Sequence, residues 1–444
     1  MLNICDAAAL TEWALANGAY IHEAVHAGVP CDKKGLGVVL RTAVEQAELL
    51  LRVPHNLLIG AALGELEAAE GPRAVLQRLL SLRAGVSGES TFWEPYLRCL
   101  PATFDTTIFW SDAELDELQG SPVRSRSVHR SKELRAEHGR FEQNNASYRD
   151  FVWAYSITTS RIFRDPSIPA PGGIALVPIV DWINAATVQR PNVRWAAGAE
   201  GVSIYATTSL AAGTELLFAY GASQSSAVGA IDYGHAERLG AEDEIVLLSS
   251  PPRIHQQWGA EGVACEEEGG LSARPTRVAY DERRHRLEMQ GLWGRPAIPL
   301  TVGLRSPHPR LRWAFGAEEG DGDASGVGAT MMRVAMLLVA EHEAAARWTR
   351  RERRLALCLV RSHAKLLLRV GYPTPLEDDE IELEAEPVGT RLHTALVVRM
   401  AEKRLVGALI TNISRALARR PRKVRRKRVG APRDGHGVGR DELR

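Results

Sequence analysis

Cysteine is scarce in this chain: five residues, Cys5, Cys31, Cys99, Cys265 and Cys358, in a sequence of 444. Their number is odd and none forms a CxxC pair, which argues against both a disulfide framework and a cysteine-rich zinc site. A reducing compartment, cytoplasmic or nuclear, is the matching expectation. Net charge is missing too, with 55 basic against 54 acidic side chains. A chain so balanced has no overall field with which to hold nucleic acid or a membrane surface. No apolar run is long enough to span a bilayer, and the N-terminus lacks the charged and apolar regions of a secretory signal. The ending GRDELR is similar to an ER-retention signal but carries an extra Arg444, and no signal peptide is read ahead of it.

What is present is unevenly placed. Leu376 to Glu386, LEDDEIELEAE, is strongly acidic, whereas Arg415 to Arg428, RALARRPRKVRRKR, is basic at most positions. The length calls for two or three domains. Asp6 to Asn17 reads as a helix with Asp6 as N-cap and Gly18 as stop. Residues of about 60–150 read as mostly helical, with GSPVRSRS as a polar break after Gly120. Tyr148 to Phe163 has helical spacing. IALVPIVDWIN is an apolar strand running into a polar site, and VSIYATTSL, TELLFAYG and DEIVLL read as further strands. The texture changes near residue 240. Beyond it PTRVAYDERRHRLEMQGLW reads as a strand pair, while ATMMRVAMLLVAEHEAAARW and RLHTALVVRMAEKRLVGALITNISRALA read as helices. These readings divide the chain into 1–240 with its helical insert, a mainly helical 241–415, and a basic tail over 416–444 expected to be disordered.

His22-Glu23-Ala24-Val25-His26 matches the H-E-x-x-H pattern of zinc proteases. The pattern has a mechanism only on a helix, where side chains four apart reach one ion. Tyr, Ile and Val around it, and Gly28 and Pro30 closing it, favour a strand over residues 19–27. At about 3.3 Å per residue the two histidines would then stand roughly 13 Å apart. No metal is expected.

A series of short motifs carries more information: KGLGVVL, VPHNLLI, WEPYLRCLP, FWSDAELDELQGS, FVWAYSITTSRIF, VPIVDWINAA, AAGTELLFAYGASQSSAVGAIDYG and ALVVRMAEKRLVGAL. In order and spacing this series resembles the SET-domain methyltransferases of the Rubisco large-subunit methyltransferase type, over about residues 6–412. That group includes ribosomal-protein lysine methyltransferases and the actin-histidine methyltransferase. The resemblance implies an α+β fold: small curled β-sheets with a knot-like strand crossing and a helical insert, followed by a mainly helical substrate-binding domain.

The implied chemistry is in-line transfer of a methyl group from S-adenosylmethionine to a lysine amine of a protein substrate. It needs alignment, exclusion of water and an uncharged amine, but no metal. By resemblance Lys34, Gly35, Leu36 and Gly37 approach the cofactor through the main chain; by themselves they could form a simple turn. Arg161 pairs with the cofactor carboxylate in this reading, or is an exposed helix charge. Asn184 binds the cofactor amino group, or is a turn-forming Asn, and Ala185 stands where the family has His. Tyr220 matches the catalytic tyrosine and also contacts the cofactor; without the family it reads as a buried strand residue. Ser160, Phe163, Asp181, Tyr233 and His235 match the acceptor side. His235 replaces an aromatic and is either a local base or a pocket filler, and Ser226 replaces a usual Asn. Trp182 reads as core or cofactor cover.

Two alternatives stay open at this level. The three substitutions at Ala185, Ser226 and His235 admit a non-catalytic protein-binding module on the same fold, and a histidine acceptor is also open. A monomer is expected, acting on a ribosomal, chromatin or cytoskeletal protein. Nucleic acid enters only through the basic tail.

Overall fold

A computed structural model describes residues 5–31, 35–60, 71–85, 88–140, 146–170, 173–186, 191–219, 226–236, 277–289 and 349–418, with short stretches at 263–265, 271–273 and 337–339 and the positions 256 and 335. The strand expected in DEIVLL, the glycine- and acid-rich segment 316–329, most of the helix expected in ATMMRVAMLLVAEHEAAARW, the domain boundary near 240 and the tail beyond Ala418 lie outside the described residues.

Asp6 caps α1 (Ala7–Ala16) by accepting from the Ala9 amide at 3.0 Å, as a helix start requires. Two strands then follow where one was expected, β1 (Tyr20–Ile21) and β2 (Val25–Cys31). His22 makes the turn between them. Its Nδ1 accepts from the Ala24 amide at 3.1 Å and its Nε2 lies 3.1 Å from a Glu48 oxygen. The single strand of the sequence reading, with His22 and His26 on one side, is therefore corrected to strand, turn, strand. A hydrogen bond from the Val25 amide to the His22 carbonyl closes the turn.

β3 (Gly35–Leu40) pairs antiparallel with β2. β4 (Leu49–Val53), β9 (Val193–Gly198) and β10 (Gly201–Ala206) join β1 in a sheet of order β1-β4-β10-β9. β5 (Ile59–Gly60), β6 (Ile162–Arg164) and β7 (Ile174–Leu176) form a second, of order β5-β7-β6. β8 (Asn184–Ala185) pairs in parallel with β11 (Leu217–Phe218), across more than 30 residues of chain. Leu50, Ile59, Leu176 and Val202 from these small sheets share one core with Val75 and Leu79 of the helical insert and with Phe151 and Ile157 of the helix that follows it.

The insert consists of α2 (Gly71–Arg83), α3 (Ser90–Cys99), α4 (Asp112–Asp116) and α5 (Pro122–Arg140), and α6 (Tyr148–Arg161) leads back to the sheets. GSPVRSRS is the start of α5, not a break. Ser121 accepts from the Val123 amide at 3.1 Å, and Pro122 is pre-set for the first helical position, where its missing N–H costs nothing. After the short α7 (Ser226–Val228) and the wide turn Gly229–Tyr233 come β12 (Val263–Cys265), β13 (Leu271–Ala273) and α8 (Arg277–Met289). The last of these overturns the strand pair expected there. The charged residues of that segment recur at helical spacing, and Arg284 meets Glu288 one turn on at 2.9 Å.

α9 (Arg350–Leu366), α10 (Leu376–Ala385) and α11 (Arg391–Ala418) complete the described chain. α11 covers the helix read from the sequence end to end. Its buried Arg399 meets Asp379 and Glu382 of α10 at 3.0 and 2.9 Å and reaches Glu117 of the insert at 3.1 Å. Among the described residues no helix is long and apolar enough to cross a membrane.

One covalent link departs from the sequence reading. Cys5 is disulfide-bonded to Cys99, with a Cα separation of 4.3 Å across 94 residues of sequence. Cys358 is also disulfide-bonded. The spacing could not show this, because α1 and α3 meet only in the folded chain. There Trp13 packs against Phe92 and Trp93 with centroids 5.3 and 5.6 Å apart, which sets the Cys5 and Cys99 ends together. The premise of unpaired cysteines behind a reducing compartment does not hold.

Candidate active site

A cavity of about 1070 Å³ opens where the small sheets, α3 and the α10–α11 connection converge. Gly35, Leu36, Ser160, Arg161, Asp181, Asn184, Ala185, Tyr233 and His235 all line it. Nine residues chosen from separate parts of the sequence thus reach one space. Lys34 and Tyr220 lie outside the described residues. Two expected residues do not line the cavity. Phe163 packs edge-on against Trp195 and Phe218, with centroids 5.4 and 6.1 Å away, and supports the strand β11. Gly37 lies behind the wall.

The two glycines of Gly35-Leu36-Gly37 have different reasons to be glycine. Gly35 has φ +81°, and a Cβ there would meet nothing within 4 Å. It leaves open space at the cavity and a backbone conformation that side chains disfavour. Gly37 is tightly enclosed: a Cβ would fall 2.4 Å from Cys31 Sγ and 3.0 Å from Asn184 Nδ2. Its absence of a side chain is what lets Asn184 approach β3.

Asn184 is oriented by a residue that sequence reasoning missed. Its Nδ2 donates to Glu215 Oε1 at 2.8 Å and lies 3.5 Å from the Leu36 carbonyl. An ionised carboxylate only accepts. Glu215 therefore fixes the amide's hand and turns Oδ1, an acceptor, away from itself. Glu215 is placed in turn by a bridge to Val39 and by Asn192, whose Nδ2 donates to the Glu215 carbonyl at 2.8 Å. A glutamate beside the motif LLFAYG gave no signal, because its partner is 31 residues away in sequence.

Asp181 occupies a one-turn segment, Val180–Trp182, entered through Ile179 at φ +68°. Positive φ is costly for a β-branched residue, about 1–3 kcal/mol, and such strain persists only where its surroundings enforce it. Asp181 is buried. Its Oδ2 accepts from Tyr96 Oη at 3.0 Å and lies 3.3 Å from Arg161 Nη1, which also donates to the Asp181 carbonyl at 2.8 Å. Oδ1 is buried with no hydrogen-bond partner among the described residues. Burial pushes the Asp181 carboxyl up, against the charge of Arg161 and the Tyr96 hydrogen bond, which pull it down.

Arg161 closes α6, and the last-turn carbonyls of a helix have no intrahelical partner. Ser160 turns its hydroxyl back to the Ser156 carbonyl at 2.7 Å, so its side chain is already engaged. The guanidinium of Arg161 has five N–H donors, and the contacts to Asp181 engage one nitrogen. Tyr233 and His235, also lining the cavity, stand with ring centroids 6.3 Å apart. Gly234 between them has φ +80°, and a Cβ there would fall 2.7 Å from the Asp105 and Thr106 backbone. Burial, then the charge of Asp232, raises the Tyr233 hydroxyl above its ordinary pKa, so it keeps its proton. Ser226 is buried at the start of α7. Trp182, also a cavity residue, is 4% exposed and packs against Gly28 of β2.

These residues fit a sulfonium amino-acid cofactor. Arg161 offers donors to a carboxylate, Asn184 Oδ1 offers an acceptor to an ammonium, and Gly35 leaves room for close main-chain approach.

Comparison with known proteins agrees. Residues 274–406 match the family described as Rubisco LSMT substrate-binding. The chain is 25% identical over 408 residues to the Rubisco large subunit N-methyltransferase of Nicotiana tabacum, covering 84% of this chain and 74% of that protein. It is 25% identical over 407 residues to the fructose-bisphosphate aldolase-lysine N-methyltransferase of Arabidopsis thaliana, covering 84% and 76%. A solved structure of Rubisco LSMT bound to AdoMet superposes with a TM-score of 0.67 at 21% identity, over 93% of this chain and 92% of that one. In its small sheets, its helical insert and the family match over residues 274–406, the chain is similar to the Rubisco large-subunit methyltransferase-like group of SET-domain methyltransferases.

Proposed function

We propose that this protein transfers a methyl group from S-adenosylmethionine to a lysine side chain of a protein substrate. The carrying observation is the convergence of Gly35, Leu36, Arg161 and Asn184 with Asp181, Tyr233 and His235 on one cavity. Gly35, Leu36, Asn184 and Arg161 would hold the cofactor, which when bound supplies an electrophilic methyl on a sulfonium. Ser160 and Arg161, at the end of α6, line the same space. Tyr233 gives a lysine stem an apolar ring and keeps a neutral hydroxyl as donor. Tyr220 is assigned the hydroxyl that orients the amine. β11, which pairs with Asn184–Ala185, ends two residues before it.

Lysine is favoured over histidine as acceptor because the aldolase enzyme, matching 84% of this chain, is named a lysine methyltransferase. The acceptor is proposed to be a ribosomal, chromatin or cytoskeletal protein. Labelling a cell lysate with tritiated cofactor and this protein, then identifying the labelled band, tests both points; label on histidine would overturn the lysine assignment. Calorimetric titration with S-adenosylmethionine tests the core of the reading, and no binding at high micromolar cofactor would sink it. Tyr220→Phe should spare that binding and lower turnover by about 100-fold, in the range of a lost acid–base or orienting group; unchanged turnover refutes the role of Tyr220.

A further inference from the structure

We propose that Tyr96 is a positioning residue of this site, fixing through its hydroxyl the Asp181 carboxylate that in turn orients Arg161; this rests on the methyl-transfer reading above. Tyr96 lies in WEPYLRCLP on α3, far in sequence from the residues it serves, and its side chain is among the largest that are fully buried. It makes no cavity wall itself. Its hydroxyl has one proton to give, and gives it to Asp181 Oδ2 at 3.0 Å.

The geometry shows why this matters. Two donors, Tyr96 Oη and Arg161 Nη1, converge on the same Asp181 oxygen, at 3.0 and 3.3 Å. The carboxylate is thereby held in one rotation, with Oδ1 buried and unpartnered in a residue that lines the cavity. A rotated carboxylate would lose the Oδ2 contact and leave Arg161 held here only by the Asp181 carbonyl. The backbone below is fixed, the Asp181 amide donating to the Val177 carbonyl at 3.1 Å, so the rotation of the carboxylate is what the two donors set. Tyr96 therefore closes a chain of contacts from α3 through Asp181 to the end of α6.

The charges act in the same sense. The titratable and charged groups facing Asp181 are Tyr96 from α3 and Arg161 from α6. Burial, then the Asp181 charge, lifts the Tyr96 hydroxyl well above its ordinary range, so Tyr96 is always the donor of the pair. Burial raises Asp181, while Arg161 and the Tyr96 hydrogen bond lower it. Removing the hydroxyl leaves burial less opposed. Asp181 then takes up a proton at higher pH, and a protonated Asp181 no longer anchors the guanidinium by charge.

Tyr96→Phe keeps the buried ring and removes only the donor. Wild type and variant are compared by cofactor titration, by kcat and KM for a lysine-containing acceptor across pH, and by thermal unfolding. The expected result is a loss in kcat/KM of about tenfold, the usual effect of losing a hydrogen bond to a charged group. The acid limb of the profile should also move to higher pH, with a near-native unfolding temperature. In an Asp181→Asn background the same change should cost little more. An unmoved pH profile, or an equal loss with and without the Asp181 carboxylate, overturns the proposal. Wild type that neither binds cofactor nor transfers methyl overturns the underlying reading instead, and that arm is read independently of the variant.

Discussion

Asn184 shows how a single side chain acquires a function. An amide can be turned either way at equal internal energy, so only its neighbours decide which end faces a ligand. Glu215 decides here, by accepting from Nδ2 at 2.8 Å. Glu215→Gln replaces an obligate acceptor with a second amide and frees Asn184 to flip. Cofactor affinity should fall by roughly tenfold, as expected when a charge-assisted hydrogen bond of about 1.5 kcal/mol is lost, with little change in unfolding temperature. Calorimetry on both proteins measures it, and an unchanged Kd would show that Glu215 does not set the amide. The motif DWINAA made Asn184 visible in the sequence. Glu215 was not visible, because a lone glutamate after a turn has no pattern until β3 and β8 are brought together. Gly35 and Gly37 were both legible as special, but their division into an open approach and an enclosed packing position required coordinates.

At the level of elements, the contact between the C-terminal helices and the insert sets buried charged and polar groups beside an apolar cluster of Leu115, Leu118, Val123 and Leu396. Glu402 of α11 is buried and accepts from Ser121 Oγ at 2.9 Å and from Tyr372 Oη at 2.5 Å. Burial outweighs both donors and lifts its pKa from 4.5 to about 7. The sign follows from which state holds the proton. Between pH 4.5 and about 7 the folded protein keeps a proton on Glu402 that the unfolded chain has released. Stability from this group is thus whole below the unfolded value and is lost as pH rises toward the folded one. At 1.36 kcal/mol per unit the loss is roughly 3 kcal/mol. The unfolding temperature should fall from pH 5 to pH 8, and Glu402→Gln should flatten that dependence; thermal scans of both across pH check it. A variant that keeps the full slope assigns it to other groups. Periodicity alone found α11 from end to end, yet misread 277–289 as strands, since its mean composition is polar and its apolar residues are few. A helix so charged is specified by its one-turn ion pairs and by what it docks against.

For the whole molecule, the Cys5–Cys99 link is the long-range constraint that no local pattern announced. It closes 94 residues, and a loop of that size removes about 4.7 kcal/mol of chain entropy from the unfolded state. Cys5→Ser should lower the denaturant midpoint accordingly while α1 and α3 stay packed through Trp13, Phe92 and Trp93. Denaturation of oxidised protein, reduced protein and the variant tests this. Identical curves, or three free thiols instead of the single one expected of Cys31 in the oxidised protein, would show that the link does not form. Both cysteines also line the cavity, so the covalent frame and the site are built from the same packing of α1 on α3.

The sequence by itself determined the resemblance to the Rubisco large-subunit methyltransferase type, the α+β class, α1, α6 and α11, and nine of the residues that meet at the cavity. These rest on local signals: caps, periodicity, and short motifs whose order along the chain is preserved. The tertiary structure alone decided the turn at His22, the disulfide, the placement of Phe163 and Gly37 behind the wall, and the supporting pair of Tyr96 and Glu215. Each depends on groups distant in sequence becoming neighbours in space. A hydrogen bond 85 residues long, such as Tyr96 to Asp181, leaves no spacing to read, because chain distance carries no information about a contact that only packing creates.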